Sequence, residues 1–246
     1  MTSFPARNSP PGDYLAVALD VSSEREAQAL VTQLGEAVKI YKIGLELLMS
    51  GDYFQLLEWL KLQGKRVFVD LKLFDVPATV GRAVTGLRRY GADWCTVHGN
   101  QGMMEAAAQA GGDEISILAV TALTSLDQAD LEDLGFECRI EQLVLSRARR
   151  AMEAGCAGVV TSGLELPMLR RELPASLITV IPGIRPLENK TVDDQRRVVT
   201  PENALKAGAD LLVIGRPITR ASDPAQAAGE ILLRMGEVLS SRMETD

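Results

Sequence analysis

The chain is poor in the residues that carry most metal and redox chemistry. Its 246 residues include one histidine, His98, and three cysteines, Cys95, Cys138 and Cys156, with no C-x-x-C spacing. An odd, scattered set of cysteines argues against a disulfide framework or a zinc site and fits a reducing, cytoplasmic setting. Basic residues are also short: 26 Lys and Arg face 33 Asp and Glu, a net charge of −7 with no basic run. That excludes the electrostatic footprint of a nucleic-acid binder, while a few placed groups can still hold a phosphate. No apolar run approaches the length of a membrane span. G-x-S-x-G is missing, so there is no nucleophile elbow. G-x-G-x-x-G does not follow the first apolar run, which weakens a dinucleotide reading.

What is present is a regular alternation. Eight short, largely apolar, β-rich runs occur at Leu15–Asp20, Val38–Ile43, Arg66–Lys72, Trp94–His98, Ile115–Val120, Gly158–Thr161, Leu177–Ile181 and Leu211–Ile214. Runs apolar throughout suit parallel strands covered on both faces. Amphipathic segments separate them: Ser23–Leu34, Gly51–Gln63, Val76–Tyr90, Met103–Ala110, Ile140–Ala154, Leu166–Glu172 and Pro201–Ala207, with Asp223–Leu239 closing the series. Glycines 64, 91, 155 and 208 stand near the expected helix ends. Eight strand–helix units predict an α/β fold, a (β/α)8 TIM barrel in a single domain spanning residues 15–240. A doubly wound open sheet is the alternative. Residues 1–14 hold Pro5, Pro10, Pro11 and Gly12 but no apolar core, and are read as a loose leader rather than a signal peptide. Residues 241–246 are read as a tail.

In a barrel all strand ends ring one mouth, and here they are polar: Asp20, Lys42, Asp70 with Lys72, His98, Thr121 to Thr124, Ser162, Pro182 to Arg185, and Gly215 with Arg216. The densest is Asp70-Leu71-Lys72-Leu73-Phe74-Asp75-Val76-Pro77-Ala78-Thr79. On a strand, residues i and i+2 share a face, so Asp70 and Lys72 are expected to point together. A structural ion pair is the plain explanation. A catalytic pair is favoured, because buried ion pairs stabilise weakly and concentrate at functional sites. With Asp20, Lys42 and Asp75 the set comprises three acids and two lysines. It would keep Lys72 charged and placed to deliver a proton to a developing carbanion. The Gly215–Arg216 step at strand eight, beside Pro182-Gly183-Ile184-Arg185-Pro186 at strand seven, is where barrels often bind phosphate. The polar stretch from Arg185 to Arg197, which includes Gln195, reads equally well as a lid or an ordinary loop. His98 is expected to play a supporting part, and Cys95 and Cys156 to fill the core.

The segments VALDV, YKIGLEL, DLKLFDVPAT, TVHG, TALTS, PGIRP, DQRR and VIGRPIT together resemble the orotidine 5′-phosphate decarboxylase family, in family order and over nearly the whole chain. The resemblance implies the last step of de novo UMP synthesis, carried out by a homodimeric barrel with neither metal nor organic cofactor. It implies that Asp70 and Lys72 flank the reacting carboxylate and that Lys72 protonates C6 of the pyrimidine. Asp75 and Thr79 would reach into the partner's site. Asp20 and Lys42 would hold ribose hydroxyls and the charge array, and Thr124 the pyrimidine. Arg185, Gln195, Gly215 and Arg216 would take the phosphate. Two rivals are a magnesium-dependent sugar-phosphate enzyme sharing the D-x-K-x-x-D strand, such as a 3-keto-gulonate-phosphate decarboxylase or hexulose-phosphate synthase, and a non-catalytic phosphate-binding barrel. The TALTS, PGIRP and DQRR segments with Pro77 and Thr79 favour the pyrimidine enzyme.

Overall fold

A computed structural model describes residues 4–5, 9–186 and 198–243. Eight parallel strands close on themselves in sequence order: β1 Leu15–Ala18, β2 Ile40–Gly44, β3 Arg66–Leu73, β4 Trp94–His98, β5 Ser116–Val120, β6 Gly158–Val160, β7 Ile178–Ile181 and β8 Leu211–Ile214, with β8 pairing back to β1. This is the expected (β/α)8 barrel, and the open-sheet alternative falls because no strand edge is left. Strand ends differ from expectation by one or two residues. Asp20, for instance, lies two residues beyond β1 rather than at its end.

The helices are α1 Glu24–Leu34, α2 Leu45–Ser50, α3 Tyr53–Leu62, α4 Pro77–Arg88, α5 Gln101–Gly111, α6 Gln128–Asp133, α7 Ile140–Glu153, α8 Leu166–Glu172, α9 Pro201–Lys206, α10 Arg216–Thr219 and α11 Pro224–Met243. Local chemistry sets several starts. Ser23 caps α1 by accepting from the Glu26 amide, and Thr200 caps α9 through Asn203. Pro77 opens α4 at a position where its missing N–H costs nothing. The segment read as one helix from Gly51 begins instead at Tyr53, and a separate turn of helix, α2, precedes it.

Period-two alternation divides the strand side chains between two cores. Leu15, Val17, Tyr41, Ile43, Val67, Val69, Cys95 and Val97 face outward and pack under the helices. Ala16, Ala18, Ile40, Phe68, Trp94, Leu118, Val120, Val160, Val180, Leu211 and Val213 fill the barrel interior. Each large apolar side chain so buried stabilises the fold by roughly 1.5–3 kcal/mol. Cys95 and Cys156 are buried in the outer core as expected. Phe4 packs on Trp94 with ring centroids 5.1 Å apart, and a short 3-10 turn at Pro11–Tyr14 buries Tyr14.

Charged groups near the amino ends of the strands are paired with one another or with backbone. Asp93 accepts from Lys61 at 2.6 Å and from the Val67 amide at 2.7 Å. Asp210 takes Arg170 and the Thr179 amide, and Asp13 takes Arg66 at 2.6 Å. In this fold that face serves stability, and the opposite mouth is where chemistry resides.

Candidate active site

Followed toward the carboxyl ends of the strands, the same alternation turns from apolar to charged. Ala16 and Ala18 lead to Asp20, Ile40 to Lys42, Phe68 to Asp70, and Trp94 to Thr96. The interior core thus becomes the floor of a cavity of about 520 Å³, where Ala18, Phe68, Val120, Val160 and Val213 lie beneath the polar groups.

Four of the expected residues converge on one wall. Lys42 Nζ donates to Asp20 Oδ1 at 2.8 Å and lies 3.6 Å from Asp70 Oδ2. Lys72 Nζ donates to the same Asp70 Oδ2 at 2.9 Å. Lys42 and Asp70 are nearly buried, whereas Lys72 is one-third exposed toward the cavity and Asp20 more than half exposed. Burial alone would push the Lys42 ammonium down, but Asp70 and then Asp20 outweigh it and hold its pKa above the ordinary lysine value. Burial would likewise raise Asp70. The Lys42 and Lys72 ammonium groups, with hydrogen bonds from Lys72 and Thr96, reverse that and hold its carboxyl below the usual range. Both groups are therefore charged at neutral pH. Gly44 leaves room for this contact: a Cβ there would stand 3.3 Å from Lys42 Nζ and 3.7 Å from Asp20 Oδ1.

Asp70 and Lys72 meet as expected, but not by simple alternation. The pairing of β3 with β4 runs Phe68 with Trp94 and Val69 with Cys95, then jumps to Leu73 with Val97. Within that slip Lys72 has φ +48°, the one positive value at a non-glycine among the described residues. Such a backbone costs on the order of 1–2 kcal/mol and persists where surrounding contacts over-determine it, characteristically at functional sites.

Further lining comes from the ends of β7 and β8, the latter paired with β1. Gly183, Arg185, Gly215 and Arg216 all line the cavity, as does Thr124 from the loop after β5. Gly183 turns the chain at φ +72°, a conformation that suits glycine. Beyond it, Ile184 bridges Val199 and the Arg185 amide donates to the Val199 carbonyl at 3.0 Å. Gln195 lies outside the described residues, as does most of the loop weighed as a lid.

Asp75 and Thr79 are not among the cavity-lining groups of the single chain. Asp75 is exposed and accepts from the Val76 amide, and Thr79 accepts from Arg82. His98 also stays off the lining. It stands edge-on to Phe74 at 4.9 Å, and burial, followed by the Arg147 charge, pushes its imidazole pKa below the usual value despite Asn100. Ser162 closes a turn by accepting from the Leu164 amide. Among the lining residues that strand-end reasoning does not reach, two are charged: Glu46 on α2 and Arg220 just after α10. Their elements are too short to leave a periodic signal. Thr96, which hydrogen-bonds Asp70, opens the TVHG segment. Its place two residues after Trp94, on the inward face of β4, is the signal that marks it.

A closed parallel barrel with charged side chains and a glycine–arginine pair lining one cavity at the carboxyl ends of its strands defines a (β/α)8 protein of the kind that carries its chemistry at that mouth. The profile of the orotidine 5′-phosphate decarboxylase / HUMPS family matches residues 13–231, and the chain belongs to that family. It is 57% identical over 232 residues to the orotidine 5′-phosphate decarboxylase of Methylococcus capsulatus, covering 94% of this chain and 96% of that one. It is 48% identical to the enzyme of that name from Xanthomonas campestris, over 89% and 90% of the two chains. The crystal structure of orotidine 5′-phosphate decarboxylase from Lactobacillus acidophilus superposes with a TM-score of 0.79 at 32% identity, covering 90% of this chain and 98% of that chain.

Proposed function

We propose that this chain decarboxylates orotidine 5′-phosphate to UMP and CO2, the last step of de novo pyrimidine synthesis, with Lys72 as proton donor. The observation that carries the reading is the Asp20–Lys42–Asp70–Lys72 array lining one cavity together with Arg185 and Arg216, in a chain whose relatives bear that enzyme's name over nearly their full length.

The chemistry follows from the charges. Arg185, Arg216 and the Gly215 backbone would take the phosphate, which does not react but anchors the base over the array. The departing carboxylate would sit beside Asp70. Two carboxylates about 4 Å apart repel by roughly 4 kcal/mol at an effective dielectric near 20. That repulsion vanishes as neutral CO2 leaves. The electron pair left on C6 takes a proton from the Lys72 ammonium, which becomes the amine. Lys42, lodged between Asp20 and Asp70, keeps the array from collapsing around Lys72 and fixes the carboxylate in place. Asp20 and Lys42 would meet the ribose hydroxyls and Thr124 the pyrimidine. Gln195 belongs to the same proposal, with the phosphate and base.

We read the reaction as metal-free. The Asp20 and Asp70 oxygens that a divalent ion would need already face lysine ammonium groups. Residues 15–240 act as one catalytic domain in this reading. It places the enzyme in the cytoplasm, as its free cysteines suggest. The active form would be a homodimer in which Asp75 and Thr79 complete the partner's site. Support comes from the segment around Asp75, where Phe74 and Val76 are 64% and 62% exposed, an apolar edge suited to burial against a second copy.

The test is the ultraviolet absorbance of orotidine 5′-phosphate mixed with the purified protein in EDTA. Rapid loss of substrate is expected. No change with EDTA, together with turnover of a sugar phosphate once magnesium is restored, would overturn the reading in favour of the metal-dependent branch.

A further inference from the structure

The proton donor stands on a strained backbone, and something must hold it there. Thr96, on β4, is fully buried, and its hydroxyl joins two points of the array. Its oxygen accepts from the Lys72 amide at 2.8 Å. Its proton goes to Asp70 Oδ1 at 2.9 Å. Both roles of the hydroxyl are thus committed, one as acceptor and one as donor. The amide it receives belongs to the residue at φ +48°. The contact falls inside the register slip, where β3 and β4 have no regular partner between the Val69–Cys95 and Leu73–Val97 pairs. It therefore supplies the Lys72 amide with the partner that the slip withholds. On the acid, Thr96 occupies Oδ1 and leaves Oδ2 to Lys72 and Lys42.

We propose that Thr96 is a positioning residue whose hydroxyl fixes both the backbone of Lys72 and the rotamer of Asp70. This rests on the reading of Lys72 as proton donor. Thr96 is not among the cavity-lining residues, and it acts through the two groups its hydroxyl holds. Valine at this position keeps the shape and loses both hydrogen bonds, and serine keeps the hydroxyl and loses a methyl.

Thr96→Val, Thr96→Ser and wild type are compared for kcat and KM on orotidine 5′-phosphate and for UMP affinity. Loss of alignment at the reacting centre should lower kcat of Thr96→Val by about 10- to 100-fold, with KM and UMP affinity within about threefold of wild type. Thr96→Ser should recover most of kcat. If Thr96→Val does not fold, Thr96→Ala is read in the same way. Wild-type kcat in the valine or alanine variant would overturn the inference. So would a parallel fall in UMP affinity and thermal stability that serine does not rescue, the mark of a general packing role. If wild type itself fails to turn over orotidine 5′-phosphate, it is the functional reading that falls. A crystal structure of Thr96→Val then decides the inference alone: Lys72 leaving the left-handed region supports it, and an unmoved Lys72 overturns it.

Discussion

Lys72 Nζ reaches Asp70 Oδ2 at 2.9 Å although the strand carrying both loses its register between Val69 and Leu73 and Lys72 adopts φ +48°. A lysine on regular strand would stand perpendicular to the sheet, as its neighbours do. The left-handed turn redirects the chain at the mouth of the barrel while the flexible side chain returns to its acid. The backbone strain and the ion pair thus belong to one device, and they can be separated by mutation.

Replacing Lys72 by alanine removes the ammonium and keeps the strained backbone. Replacing it by glycine removes both, because glycine adopts positive φ without a Cβ penalty. Both variants should lose turnover by at least about 10²–10⁴-fold, the usual worth of a positioned proton donor, while still binding UMP. Lys72→Gly should be the more stable by roughly 1 kcal/mol in urea unfolding. Turnover near wild type in either variant would remove Lys72 from its role. Equal stability of the two would show that the backbone relaxes without cost.

The Asp70 carboxyl gives a signed pH dependence. Its pKa is lowered in the folded chain, against burial, by the Lys42 and Lys72 charges. A group depressed on folding contributes stability that is present above its unfolded value, about 3.9, and is lost as pH falls through the folded value. Lys42 behaves oppositely: its raised pKa contributes stability present below the unfolded lysine value and lost only as pH rises through the folded one. Neither group titrates between these limits. Urea unfolding of wild type and Asp70→Asn from pH 7 to pH 2.5 should therefore differ by a constant amount down to about pH 4 and converge below it. A difference independent of pH throughout would mean that Asp70 carries no depressed pKa.

The eight strands were legible because most are buried on both faces and read as largely apolar runs; β4 and β8 match their expected bounds residue for residue. The helices that escaped notice are short. In α2 only Leu47 is buried, while Leu45 and Met49 are exposed, so no apolar stripe marks it. The capping box at Asp127 and Asp130 was a usable sign of α6. Asp20, Lys42, Asp70 and Lys72 could be found from strand ends alone. Alternation puts Thr96 on the inward face of β4, but its importance depends on a register slip that side-chain pattern does not encode.

Trp94 tests the interior core independently of the site. It is fully buried at the amino end of the barrel against Phe4, and its indole nitrogen has no hydrogen-bond partner among the described residues. Trp94→Ala should cost about 3–5 kcal/mol, the range for emptying an aromatic site. Trp94→Phe should cost under about 1.5 kcal/mol, since it keeps most of the volume and discards an unpaired donor. A phenylalanine variant as unstable as the alanine one would show that the nitrogen is in fact satisfied in solution.

Whether Asp75 acts across an interface can be decided by mixing. Alone, Lys72→Ala and Asp75→Ala should each be nearly inactive. In a two-fold dimer with shared sites, the mixed species carries both lesions in one site and neither in the other. Random pairing of equal amounts makes half the dimers mixed, each with one intact site of two, so the mixture should recover about a quarter of wild-type activity. If Asp75 served its own chain's site, every site in the mixture would hold one lesion and nothing would be recovered. The exposure of Phe74, Asp75 and Val76, and the absence of Asp75 from the cavity lining of its own chain, favour recovery.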